Sequence, residues 1–75
     1  MKMEDKDKLA YLNEDQKVYL RLVRKSLPMH DFDMQRTLVY LAKHGDVIKP
    51  FEREATNNLS GFQKNQVLCE LLLPY

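Results

Sequence analysis

Seventy-five residues carry 12 Lys and Arg against 11 Asp and Glu, a net charge of +1, and a dedicated nucleic-acid binder is usually more basic than this. One cysteine excludes an intrachain disulfide, and a chain of about this size buries only roughly 60–65% of the surface its unfolded form exposes. No apolar run approaches the ~18 residues of a membrane span, and MKMEDKDK at the start lacks the apolar core of a signal peptide, so a cytoplasmic protein with no membrane partner is expected.

Residues 1–8 alternate in charge without periodicity and are expected to be frayed, leaving 9–75 as a single helical domain. Leu9, Ala10, Tyr11 and Leu12 form the first apolar cluster, a lead-in that can pack over later helices. Asn13 is a good N-cap, with Glu14 and Asp15 in the first turn and Gln16 placed to close a capping box. The helix it opens is expected to run to about Ser26. At ~100° per residue Val18, Tyr19, Leu20, Leu22, Val23 and Leu27 fall on one broad arc. Lys17, Arg21, Arg24 and Lys25 fall on the opposite arc. Pro28 is expected to stop this helix, because the residue before a proline is pushed away from α geometry.

Either Asp31 or Asp33 can cap a second helix, expected from about 32 to 44. Its apolar stripe is Met34, Leu38, Leu41 and Ala42, with Tyr40 and His44 on the wet side. Gly45 is expected to end it in the left-handed conformation. Asp46–Lys49 is a loop expected to bury Ile48. Pro50 opens a third helix to about 58, where Phe51, Ala55 and Leu59 recur every four residues. Ser60 and Gln63 make a second capping box. The last helix, about 61–73, is the most apolar segment of the chain. Its one continuous polar strip is Gln63, Gln66 and Glu70. Two arrangements suit such a helix: a central position surrounded by the others, or a docking face for a copy or a partner. The expected architecture is an all-α bundle of three to four short helices, about 14–26, 32–44, 50–58 and 61–73.

Chemistry is sparse. His30, Asp31 and Asp33 lie together, but no H-x-x-x-H or C-x-x-C pair accompanies them. Asp31 to Ala42 echoes a calcium loop only until Arg36 and Ala42 occupy the places of its turn glycine and bidentate glutamate. Cys69 lies inside an apolar run, the setting of a structural thiol. Glu52 and Glu54 are two apart on a helix and do not face each other. No catalytic, metal or cofactor site is expected.

Two surfaces remain. Leu68, Leu72, Leu73 and Tyr75 form a candidate face for a protein partner or a homodimer. Lys17, Arg21, Arg24 and Lys25 form a basic face that can meet phosphates or an acidic protein. A small non-catalytic regulator or adaptor that binds another protein is the favoured expectation. A helix-turn-helix-like DNA-binding regulator is the alternative, using that basic face or Lys64, Asn65 and Gln63 at the start of the last helix. Neither helix-turn-helix frame fits well: one puts Pro50 inside the recognition helix, and the other puts Thr56, Asn57 and Ser60 at packing positions.

Overall fold

A computed structural model describes residues 11–72, so the expected frayed segment 1–8, Leu9, Ala10, Leu73, Pro74 and Tyr75 lie outside the described residues. Among those described, the fold is all-α. It has four helices, α1 (Glu14–Ser26), α2 (Met34–Lys43), α3 (Pro50–Asn58) and α4 (Gly61–Leu72), and no strand. Short 3-10 turns at Leu27–His30 and Gly45–Val47 join α1 to α2 and α2 to α3.

α1 begins where its cap dictates. Asn13 Oδ1 accepts the Gln16 N–H at 2.7 Å, and Gln16 Oε1 accepts the Asn13 N–H at 2.9 Å. The two bonds satisfy donors that have no partner within the helix. Pro28 does not break the path abruptly. It enters a 3-10 turn at its first residues, where a missing N–H is harmless. The reversal comes three residues later, at Asp31 (φ 56°) and Phe32 (φ 61°), both left-handed. Asp tolerates that region, whereas a bulky aromatic residue rarely adopts it. The Phe32 and Asp33 N–H groups donate to Leu27 and His30 carbonyls at 2.9 Å each, which holds the turn closed.

This reversal also delays α2. Phe32 cannot be helical, so Asp33 is the cap and accepts the Arg36 N–H at 3.0 Å. Tyr40, expected to be wet, is half-buried. It stacks on His44 with ring centres 4.4 Å apart and leans on His30 at 4.5 Å. The His30 Nδ1 lies 3.0 Å from the Ser26 carbonyl. Together these rings tie α2 to the end of α1.

Gly45 departs from expectation. Its φ is not positive; the chain turns through His44 into the second 3-10 turn instead. A Cβ on Gly45 would lie 3.3 Å from the Arg53 guanidinium, which donates to the Gly45 carbonyl. The glycine permits a close approach rather than an unusual dihedral. Ile48, as expected, is half-buried and packs against the core.

α3 faces inward differently from the four-residue repeat seen in its sequence. Phe51 is 56% exposed, and the inward positions are Glu52, Ala55 and Leu59. Glu52 is buried because α1 answers it: Lys25 Nζ lies 2.9 Å from its Oε2, and its Oε1 accepts the Lys49 N–H at 2.9 Å. Burial alone would push this carboxyl up. The Lys25 ammonium and the Lys49 N–H outweigh that and hold it below its ordinary value.

The helix at the centre is α1, not α4. Tyr19, Leu20, Leu22 and Val23 from α1 join Leu12, Leu27, Leu41, Leu59 and Val67 in one buried cluster. α1 packs extensively on α3 and α4 and only lightly on α2, which is held mainly through the first 3-10 turn. Val67 is the sole residue of α4 that is fully buried. Among the described residues no buried side-chain nitrogen or oxygen lacks a hydrogen bond.

Candidate functional site

α4 is oriented against its own composition. The strip Gln63, Gln66 and Glu70, which alone looked wet in the sequence, turns toward α1 and the lead-in. Gln16, only 3% exposed, donates from Nε2 to the Gln63 carbonyl at 3.1 Å and to Gln66 Oε1 at 2.8 Å. The Tyr11 hydroxyl donates to Glu70 Oε2 at 2.7 Å. That bond to a carboxylate, with smaller contributions from burial and charge, pushes the Tyr11 phenol up to about 12. Leu12 enters the core beside it. Tyr11, in the described part of the lead-in, therefore reaches α4.

With the Gln66 amide engaged by Gln16 and the Glu70 carboxylate by Tyr11, the opposite side of α4 meets water. Phe62, Asn65, Cys69 and Leu72 are all exposed, Phe62 by 73% and Leu72 by 55%. Their spacing of three, four and three residues puts them on one line along the helix. This is the spacing with which one helix lies along another. The Cys69 thiol is free and exposed, a correction to the structural, buried thiol that its apolar neighbours suggested. Ser60 and Gln63 cap the helix as anticipated, with bonds of 2.9 and 3.1 Å.

Of the expected partner face, Leu72 is the exposed member among the described residues. Leu68 is half-buried and packs on the core cluster. Leu73 and Tyr75 lie outside the described residues. Phe62 and Cys69 take the places that Leu68 was expected to fill. The sequence carried their spacing, but not which side of the helix looks outward. Of the tyrosines described, Tyr11 is exposed, Tyr40 half-buried and Tyr19 buried.

The basic face is thinner than its four residues suggest. Lys25 is committed to Glu52, and Lys17 lies 3.9 Å from Glu14 on its own helix. Arg21 and Arg24 are exposed and have no anionic partner among the described residues. The connections flanking α3 span six residues (44–49) and two (59–60), whereas a helix-turn-helix is joined by three or four. Among the described residues no three His, Cys, Asp or Glu side chains converge as metal ligands, and no helix is long and apolar enough to cross a membrane.

No protein-family model matches this chain, and no curated protein or solved structure matches it.

Proposed function

We propose that this chain is a small non-catalytic interaction module that binds another protein along the outer face of α4. The observation that carries the reading is the inverted helix: its polar strip is spent on internal hydrogen bonds while Phe62 and Leu72 face solvent. Exposing large apolar side chains in one line is unfavourable for an isolated small domain unless something covers them. An amphipathic helix with an apolar seam fits that line, supplied by a partner protein or by a second copy of the chain. Asn65, polar and midway along the line, would set the register of such a pair.

Sedimentation equilibrium and partner capture test this with Phe62→Glu and Leu72→Glu variants. The expected result is association that persists in high salt and is lost in both variants, with their circular dichroism melts unchanged. A strict monomer that also captures the same proteins with and without the substitutions would overturn the proposal. Duplex DNA binding is the competing reading, favoured by the unpaired Arg21 and Arg24. It requires binding that weakens steeply with salt and with Arg21→Ala or Arg24→Ala; no retardation of duplex at low salt would exclude it.

A further inference from the structure

Because α2 rests on α1 only lightly, a cleft of about 490 Å³ opens between α1, α2 and α3, with Lys64 of α4 at its edge. Its floor is apolar, built by Leu22, Leu38, Leu41 and Ile48. Thr56 and Asn57 add neutral polar groups to its lining, and its charged groups are of one sign. Arg53 and Lys64 both line it, and no Asp or Glu does. Arg53 donates to the Gly45 carbonyl, which fixes the guanidinium at the cleft wall and leaves its other N–H groups open. Neither Arg53 nor Lys64 has a carboxylate partner among the described residues. Tyr19 adds a third donor. Its residue is only 8% exposed, and its hydroxyl makes no hydrogen bond among the described residues. Since no buried side-chain oxygen there lacks a partner, the small exposed part of Tyr19 includes that hydroxyl, and Tyr19 lines the cleft.

An apolar floor beneath two unpaired cations and an open phenol is complementary to one chemistry: an apolar body bearing an anionic head. The volume lies within the range of small-molecule pockets, about 300–1,000 Å³. We infer that this cleft is a binding site for a small amphiphilic carboxylate, with Lys64, Arg53 and the Tyr19 hydroxyl on the carboxylate and the leucine floor on its apolar chain. The site is separate from the outer line of α4, so either can exist without the other.

Titration of the intact chain with sodium octanoate, followed by amide chemical shifts, tests it. The expected result is saturable binding with shifts at residues 19–22, 38–42 and 53–57. Octylamine and 1-octanol, equal in length but lacking the anion, should bind about tenfold more weakly or not at all, as should acetate, which lacks the chain. Lys64→Met should weaken octanoate about tenfold while leaving the melting curve in place, since this lysine holds no other group. Tyr19→Phe should weaken it severalfold without repacking, because only the hydroxyl is removed. The inference is overturned if octylamine binds as tightly as octanoate, if Lys64→Met changes nothing, or if the shifts map to 62, 65, 69 and 72 instead.

Discussion

Glu52→Gln removes a buried charge and little else, which makes it the sharpest probe of what joins α1 to α3. The glutamate is almost wholly enclosed, its side chain 6% exposed against 54% for that of Lys25. The introduced amide can keep the acceptor that caps α3 through the Lys49 N–H, now 2.9 Å away. It cannot keep the charge 2.9 Å from the Lys25 ammonium. A hydrogen bond to a charged group contributes about 1.5–3 kcal/mol, but an exposed ion pair contributes about 0–1. The lysine is more than half in water, so screening brings the expected loss to about 1–2 kcal/mol. For a domain of this size that corresponds to a fall in Tm of about 4–16 °C. The pH dependence fixes the sign. The carboxyl is held below its ordinary 4.5 in the folded protein, so its contribution is complete above that value and lost as pH falls through the lower folded one. Thermal melts of both proteins should differ at neutral pH and converge in acid. An unchanged melt at pH 7, or a gap of the same size in strong acid, would refute the account. A double-mutant cycle with Lys25→Met should recover most of the loss as coupling.

Three further outcomes follow from single residues. Phe32→Gly relieves a left-handed aromatic residue that is 72% exposed and should raise stability by about 0.5–1 kcal/mol in denaturant unfolding; a loss would mean that the exposed ring is held by contacts. Gln16→Leu removes the donor to the Gln66 amide oxygen, a second bond to the Gln63 carbonyl and one half of the α1 capping box, which should destabilise the fold by about 2–3 kcal/mol, readable as a shift in urea midpoint. In absorbance titration at alkaline pH, Glu70→Gln should bring one tyrosine down from about 12 toward 10. Since the raised value favours the neutral phenol in the folded state, the stabilising effect is present below pH 10 and lost as pH rises through the folded value.

The local features were legible in the sequence because their causes are local. Asn13 with Gln16 and Ser60 with Gln63 meet within one helical turn, so spacing alone predicts both boxes. The bounds of α1 and α3 coincide with the expected ones, and Asp33 proved to be the capping choice left open at the start of α2. The left-handed pair at Asp31 and Phe32 was not legible, since neither residue is a glycine and the turn is imposed by the carbonyls of Leu27 and His30. Nor was the role of Gly45, which depends on Arg53 eight residues later.

The larger decision was which side of each helix faces the protein. A helical wheel orders residues around an axis but contains no information about where the other helices are. For α3, Lys25 on α1 turned Glu52 inward and left Phe51 in water. For α4, partners 50 and 59 residues away, Gln16 and Tyr11, engaged Gln66 and Glu70 of the polar strip. The sequence by itself determined an all-α chain, its caps and the apolar surplus of its last helix. Only the tertiary structure decided that α1 is the centre and that Phe62, Asn65, Cys69 and Leu72 face outward. The physical reason is that a polar side chain buried with a partner is tolerated and one without is not, and those partners are set by long-range packing.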